Sequence, residues 1–274
     1  MITRCYLEIT NICNLDCLFC PKTSRPKKRL LLQEFNELTD KLQGQVRFLY
    51  FHLMGEPLLH PLLPRFIVIA REKGFVPVLT TNGTLLDRFG DQLLTAGLHK
   101  VNISLHSFEA GQEEKHRRYL ENAAQFALKA RQADILVTFR LWNNGCDGGK
   151  NETALKVLEQ YFPKPWAENT RGYRIRDGLF LEWGDRFAWP DQNAPARGED
   201  LFCHGLRAHF GILSDGTVVP CCMDSDGVIA LGNVFRQELS DILASPRAKA
   251  IADGFQRRKA TEDLCRRCGY ARKF

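Results

Sequence analysis

Three cysteines near the N-terminus have a spacing suited to an iron–sulfur cluster. Cys13, Cys17 and Cys20 form a C-x3-C-x2-C run, and three thiolates at this spacing can each bind one corner of a cubane. The run has no fourth cysteine, so one iron would stay open to a non-protein ligand, like the open position of a catalytic metal site. The alternatives are part of a zinc site, or three cysteines that are close by chance.

A second group of cysteines lies beyond residue 200. It contains Cys203, Cys221, Cys222, Cys265 and Cys268. Four thiolates from this group can close a tetrahedral set, which suits an iron–sulfur cluster or a zinc ribbon. Adjacent residues on a strand point to opposite faces, so Cys221 and Cys222 can hardly bind one cluster together.

Composition narrows the class of protein. The 274 residues are 44% hydrophobic and 26% charged, which is enough apolar material for a core and excludes disorder. No apolar run approaches the ~18 residues of a membrane span, and the first residues do not begin a signal peptide. We therefore expect a cytoplasmic protein with no membrane partner, whose ten cysteines are not disulfides. The formal charge of +6 is only a weak hint of nucleic-acid binding.

Strand and helix signals alternate over about the first 185 residues. The predicted strands are Arg4–Ile9, Arg47–Leu53, Val76–Thr81, Lys100–Ser104, Ile135–Leu141 and Gly178–Trp183. Segments with helical periodicity separate them, which indicates a parallel sheet, either open or curled into a barrel. Such folds place their chemistry at the carboxyl ends of the strands.

The alternation ends near residues 185–200, where a Pro- and Gly-containing linker begins. We place one domain at residues 1–190 and a smaller, cysteine-rich one at residues 191–274. The second is predicted to contain a hairpin (Phe210–Leu213 with Thr217–Val219) and a helix over about Gln237–Ala244, ended by Ser245-Pro246.

The run of three cysteines after the first strand resembles the signature of the radical S-adenosylmethionine (SAM) enzymes. His52-Leu53-Met54-Gly55-Glu56-Pro57 looks like the Gly-Gly-Glu-Pro motif of that family, with Met54 at the first glycine. The resemblance implies that Gly55 and Glu56 hold the amino group of SAM. It also implies SAM contacts, to the carboxylate or the ribose, from Asn82, Ser104, His106 and Arg140, each at the end of a successive strand. Singly, these could be turn residues, strand-end polar groups or a surface ion pair.

The C-terminal part is similar to the SPASM/twitch extension of the same family. The similarity rests on Asp215–Cys222, Leu231–Val234 and the terminal C-x2-C. It implies an auxiliary 4Fe–4S cluster, and five cysteines suffice for one complete site, the shorter twitch version. We take Cys203, Cys221, Cys265 and Cys268 as its ligands, with Cys222 as the alternate. The expected fold is thus α/β, a partial (β/α)6 TIM-like barrel followed by a small twitch/SPASM-like domain.

The family resemblance implies reductive cleavage of SAM to a 5′-deoxyadenosyl radical, which abstracts a substrate hydrogen. The cofactors would be SAM and two 4Fe–4S clusters, and the partner an electron donor such as flavodoxin or ferredoxin. We expect an oxidoreductase that oxidises or cross-links a peptide or protein, with the auxiliary cluster as electron acceptor and Asp224 as general base. Glu182, Asp185 and Asp226 are the other carboxylates considered for that role.

Other substrates and one non-enzymatic reading remain open. A small polar metabolite could be dehydrogenated or epimerised. An RNA substrate is suggested by the basic run Lys22, Arg25, Lys27, Lys28 and Arg29, although such runs are usually solvated. The alternative that is not an enzyme is a binding scaffold stabilised by zinc.

Overall fold

The computed structural model describes residues 2–108 and 113–273. Its centre is a run of six parallel strands in the order β1-β2-β3-β4-β5-β8. Their bounds are β1 Arg4–Leu7, β2 Phe48–Phe51, β3 Val76–Thr81, β4 Lys100–Ser104, β5 Leu136–Asn144 and β8 Leu179–Asp185. All six predicted strands are present, and the α/β partial-barrel class is confirmed.

Five helices connect the parallel strands. They are α1 Leu32–Leu42, α2 Leu63–Glu72, α3 Leu86–Thr95, α4 Glu113–Gln132 and α5 Lys150–Tyr161. In α4, Ala123, Ala127 and Ala130 are completely buried at the three- and four-residue spacing of one helix face. These small side chains allow the helix to pack closely on its neighbours.

The C-terminal part extends the same sheet. Strand β9 (His209–Ile212) pairs in parallel with β1, and β10 (Thr217–Val219) and β11 (Gly232–Asn233) follow in antiparallel order. The predicted hairpin is therefore present. The domain boundary at residues 190/191 stays a prediction, but the first strand beyond it lies beside β1.

Three short helices complete this part: α6 Leu239–Leu243, α7 Pro246–Gln256 and α8 Asp263–Arg266. The expectation that Ser245-Pro246 only ends a helix is incomplete. Ser245 caps α7, since its side chain accepts a hydrogen bond from the Ala248 N–H (3.3 Å), and proline is favourable at the first helical position.

A second hairpin, which was not predicted, covers the other edge of the sheet. Its strands are β6 (Ala167–Asn169) and β7 (Gly172–Arg176), and β7 pairs antiparallel with β8. Within the described residues, no helix has both the length and the apolar composition needed to cross a membrane.

The strands divide polar from apolar side chains in a way that positions the site. On β4, Val101 and Ile103 are completely buried in the hydrophobic core, whereas Lys100 and Ser104 line a cavity. Because side chains alternate across a strand, the other face of each strand packs against helices. The inside of the partial barrel is consequently polar.

Candidate active site

A cavity of about 450 Å³ reaches from the barrel interior to the C-terminal cysteines. Four cationic side chains line it: Arg4, Lys100, Arg140 and Arg171. The carboxylates on its wall are Glu182 and Asp224. Its aromatic wall consists of Tyr6, Phe19, Tyr50, Trp142, Phe187, Trp189, Phe255 and Tyr270. A volume of this size is in the range of small-molecule sites.

The first three cysteines lie in the loop between β1 and α1. Cys13 is exposed, and Cys17 and Cys20 are half-buried. The Cys17 thiol donates to the Ser107 carbonyl (3.3 Å), and the Leu15 N–H donates to the Cys13 sulfur (3.4 Å). Burial raises the pKa of Cys13 and of Cys20. The donor set, three soft thiols in one loop, fits an iron–sulfur cluster.

Gly55 brings the loop after β2 against the start of this cysteine loop. Its φ is +78°, and a Cβ there would lie 2.4 Å from the Thr10 carbonyl oxygen. Only glycine allows that conformation together with that approach. The next residue, Glu56, donates its N–H to the Ile12 carbonyl (2.8 Å), directly before Cys13.

Glu56 is buried and fastens the ends of two strands together. Its carboxylate accepts hydrogen bonds from the Thr81 hydroxyl (2.7 Å), the Asn82 N–H (2.7 Å) and the Leu58 N–H (3.0 Å). Burial raises its pKa, and these hydrogen bonds oppose the shift. Its predicted role in holding the SAM amino group stays a prediction.

The other predicted SAM contacts lie at neighbouring strand ends. The Asn82 amide donates to Asn14 Oδ1 (3.0 Å) and is 3.9 Å from the Cys13 sulfur. Ser104 and His106 line the cavity, and His106 Nδ1 is 3.0 Å from the Arg140 carbonyl oxygen. The structure thus brings these residues together at the carboxyl ends of neighbouring strands, and their roles toward SAM stay predictions.

Arg140 lies on the cavity wall with its guanidinium largely buried. Its Nε is 3.5 Å from Glu182 Oε2, and the group lies 4.6 Å from the ring centroid of Trp142. Burial lowers its pKa, with partial compensation from Glu182. Its side chain is 16% exposed, so its ion pair with Glu182 lies on the cavity wall, and its role toward SAM stays a prediction.

The four predicted ligands of the auxiliary cluster line one end of the cavity. Burial raises the pKa of Cys203 to about 11, and it raises the pKa of Cys221 and Cys265 as well. The thiols also raise one another's pKa, because neighbouring negative charges repel. A metal would be needed to keep them as thiolates. In the described part of the chain, no three His, Cys, Asp or Glu side chains are close enough to hold a single metal ion.

Asp224 lies on the cavity wall, but its carboxylate is engaged by backbone. It is 2% exposed and accepts hydrogen bonds from the N–H groups of Val228 (2.9 Å) and Ile229 (2.8 Å). Burial raises its pKa. The visible role is to order the loop after the cysteine pair, and the general-base role stays a prediction.

Two cations of the basic run after the cysteine loop are half-buried and paired, so the segment is only partly solvated. Arg25 donates to Glu8 Oε2 (2.6 Å), and Lys28 pairs with Glu34 (2.6 Å). These ion pairs attach the loop to the rest of the protein. They give the two side chains charged partners in place of water.

Sequence reasoning missed several polar residues inside the barrel. Lys100, Tyr6, Tyr50 and His52 line the cavity. The first three were treated only as parts of strands, and His52 only as the start of the motif that contains Glu56. Burial, with help from Arg140, lowers the pKa of His52 to about 3. A signal for them was present in the sequence. Strands of a parallel sheet covered on both faces are usually apolar throughout, so polar residues that alternate with apolar ones along such strands indicate a polar interior.

Comparison with known families settles the class of this protein. The model of the radical SAM superfamily matches residues 7–153, and that of the SPASM iron–sulfur cluster-binding domain matches residues 203–269. The chain belongs to the radical SAM superfamily. It is a radical SAM enzyme, and the predicted cofactors, SAM and two 4Fe–4S clusters, are confirmed. The SPASM match also shows that the zinc-scaffold alternative is wrong.

Curated relatives correct the predicted substrate. The chain is 34% identical to a probable GTP 3′,8-cyclase of Methanococcus maripaludis (strain C6), over 84% of this chain and 88% of that protein. It is 36% identical to the GTP 3′,8-cyclase of Microcystis aeruginosa, over 90% of each. These relatives act on a small molecule, so the prediction of peptide or protein oxidation is wrong.

Solved structures confirm the fold. BtrN in complex with AdoMet and 2-DOIA superposes with a TM-score of 0.63 at 18% identity, covering 98% of this chain and 93% of that one. Streptococcus suis SuiB bound to SAM gives a TM-score of 0.65 at 14% identity, covering 92% and 68%. At these identities the likeness establishes the architecture of this radical SAM protein alone.

Proposed function

We propose that this radical SAM enzyme acts on GTP or a closely related purine nucleotide and joins the 3′ carbon of the ribose to carbon 8 of the base. The observation that carries the proposal is the cation-lined cavity beside the auxiliary cysteines. The names of the curated relatives supply the reaction.

The charges in the cavity suit a phosphorylated ligand. Four cationic side chains face two carboxylates, and one of these, Asp224, is already held by backbone N–H groups. Burial lowers the pKa of Lys100, and Glu182 opposes that shift. A polyphosphate near Lys100 and Arg171 would stabilise their charged forms, because an opposite charge favours ionisation.

The aromatic wall suits the purine base. Phe187 lies 5.3 Å from Trp189 and 5.1 Å from Phe19, measured between ring centroids. Flat rings at such spacings can accept another aromatic ring by stacking or edge contact. The cavity therefore offers apolar contacts for a base and cations for its phosphates.

When bound, the first cluster and SAM together supply the radical that removes a hydrogen atom. The chain must hold carbon 3′ in reach of that radical and exclude water. Loss of the 3′ hydrogen leaves a carbon radical. Its attack on carbon 8 forms the new bond and breaks the π bond between carbon 8 and nitrogen 7, which leaves the unpaired electron on the purine. One electron and one proton then complete an isomer of GTP. The predicted oxidoreductase character then describes the cleavage of SAM, not the fate of the substrate.

The two groups of cysteines would hold the two clusters. Cys13, Cys17 and Cys20 would hold the first cluster, and Cys203, Cys221, Cys265 and Cys268 a single auxiliary cluster of the twitch type. Radical SAM enzymes need a reductant, for which we propose flavodoxin or ferredoxin. We propose a cytoplasmic location because thiols stay reduced there.

The test is anaerobic turnover of the reconstituted enzyme with SAM, a reductant and GTP. We expect 5′-deoxyadenosine and a product of the mass of GTP, whereas guanosine without phosphates supports little turnover. Lys100→Gln should raise KM for GTP by ~10-fold or more, and Lys249→Gln, at an exposed position, should not. Cleavage of SAM without any isomer of GTP would overturn the proposal.

A further inference from the structure

We infer that Cys222 is not a cluster ligand and that its thiol gives a hydrogen atom to the substrate radical after ring closure. This inference rests on the proposed function and names the residue that completes it. The starting point is that four of the five C-terminal cysteines suffice for the auxiliary cluster, so that the thiol of Cys222 has no assigned role.

The two adjacent cysteines have different surroundings. The pKa of Cys221 is raised by the thiols of all four other C-terminal cysteines, so it lies within that group. Cys222 is also influenced by Cys203 and Cys268, but the charge of Arg140 acts on it as well. This difference agrees with the opposite directions of neighbouring side chains in extended backbone.

Cys222 and a cysteine of the first loop pack against the same apolar residues. Cys222 packs against a small apolar cluster that contains Leu53 and Met54, and Tyr6 and Cys20 pack against the same cluster. Leu53 and Met54 directly precede Gly55, and Cys20 belongs to the first cysteine loop. A thiol at this place is near both the barrel interior and the loop that would hold the first cluster.

Independent observations indicate that the adjoining space receives a ligand. His52 Nδ1 is a buried atom without a hydrogen-bond partner within the described residues, and Arg140 Nε makes no hydrogen bond there beyond its 3.5 Å ion-pair contact with Glu182. Both side chains line the same cavity as Cys222. Buried polar atoms in native proteins are rarely left unpaired, so polar atoms of a bound substrate would supply the missing partners beside this thiol.

The chemistry balances with one thiol and one reducing equivalent. Ring closure leaves the unpaired electron on the purine. The S–H bond of Cys222 breaks, its hydrogen atom bonds to the purine radical, and a thiyl radical remains on Cys222. One electron from the low-potential reductant and one proton from water restore the thiol.

The test compares Cys222→Ala and Cys222→Ser with Cys146→Ser, an exposed cysteine outside this cavity. Both Cys222 variants should retain the iron content of the wild type. Their ratio of 5′-deoxyadenosine to cyclised GTP should rise at least ~10-fold, and freeze-quenched samples should show an organic radical by electron paramagnetic resonance. The Cys146 variant should behave as wild type.

Three outcomes would overturn the inference. Loss of about half of the iron in both Cys222 variants, with Cys221→Ala unaffected, would make Cys222 the ligand. Full iron with an unchanged product ratio would show that the thiol gives no hydrogen atom. If the wild type makes no cyclised GTP, both the proposed function and this inference fail. The wild type alone therefore distinguishes failure of the proposed function from failure of the inference.

Discussion

At the scale of single residues, one buried ion pair links the first cysteine loop to the C-terminal part. Glu8 is completely buried, and its carboxylate accepts from Arg25 (2.6 Å) and from the Ser214 hydroxyl (2.8 Å). Arg25 also donates to the Ser225 carbonyl (2.9 Å). A single guanidinium therefore holds together the end of β1, the cysteine loop and the loop after Cys222.

Replacing Arg25 should be costly. Arg25→Gln leaves the Glu8 charge buried without its cation, so we expect the free energy of unfolding to fall by about 3–5 kcal/mol. Lys27→Gln, at an exposed position of the same basic run, should change it by less than about 0.5 kcal/mol. Urea unfolding of both variants measures the difference, and equal effects would refute this role for Arg25.

His52 should make stability depend on pH. Its pKa is about 3 in the folded protein against 6.5 for an unperturbed histidine, so between these values the unfolded chain binds a proton that the folded one does not. Stability must fall as the pH drops below about 6.5. The loss from this group between pH 7 and 5.5 is about 1.3 kcal/mol.

The variant His52→Gln isolates this contribution. Its free energy of unfolding should fall by about 1.3 kcal/mol less than that of the wild type between pH 7 and 5.5. Other titrating groups, such as His209, whose pKa is also lowered by burial, act equally in both proteins. Identical pH dependence in variant and wild type would show that His52 takes up its proton in the folded state.

At the scale of elements, strand ends and the loops that follow them build the site. The close approach of Gly55 to Thr10 places the loop after β2 against the loop that carries the first cysteines. Glu56 then joins this loop to the end of β3. The position of the cysteines thus depends on three segments that are far apart in the sequence.

Two glycines with similar backbone conformation test this arrangement. Gly44 (φ +77°) has open space around it, whereas a Cβ on Gly55 (φ +78°) would collide with Thr10. Gly44→Ala should cost ~1–2 kcal/mol of stability, from the left-handed conformation alone. Gly55→Ala should cost at least ~1–3 kcal/mol more from overpacking and reduce the iron of the first site. Equal losses of stability and iron would contradict the close approach.

The sequence predicted the elements with local signals and missed those that depend on distant partners. Strand β3 matches its predicted bounds because the turn residues Asn82-Gly83 follow its end, and β4 matches its predicted bounds as well. The β6–β7 hairpin was missed because charged residues interrupt its pattern (Glu168, Arg174 and Arg176). The pairing of β9 with β1 joins residues about 200 positions apart, and no local pattern reports it.

The sequence predicted those residues of the candidate site that belong to motifs. The cysteines and Glu56 stand in recognisable spacings, but Lys100 and Tyr6 carry no motif and become visible only when the strands curl. The sequence also does not show which of the candidate carboxylates are free to act as a base. Asp224 is held by backbone N–H groups, whereas Glu182 faces Arg140 in the cavity.

At the scale of the whole molecule, the two cysteine groups should load independently. We expect about eight irons in the anaerobically reconstituted protein and about four after Cys13, Cys17 and Cys20 are all changed to Ala. Changing Cys203, Cys221, Cys265 and Cys268 to Ala should also leave about four. Iron, sulfide and zinc analysis checks this, and one zinc remaining in the first variant would exclude an auxiliary iron–sulfur cluster.

The cavity is a product of both parts of the molecule. Barrel strands supply Lys100, Arg140 and Glu182, and the C-terminal part supplies Cys221 and Cys222. A substrate in this cavity would contact both. We propose that this substrate is a purine nucleotide whose 3′ hydrogen is removed.

Turnover with GTP that carries deuterium at carbon 3′ tests that claim most directly. We predict that mass spectrometry of the 5′-deoxyadenosine formed will show one deuterium, because the hydrogen atom taken from the ribose stays on that product. 5′-Deoxyadenosine that forms in the presence of this GTP without deuterium would contradict the account.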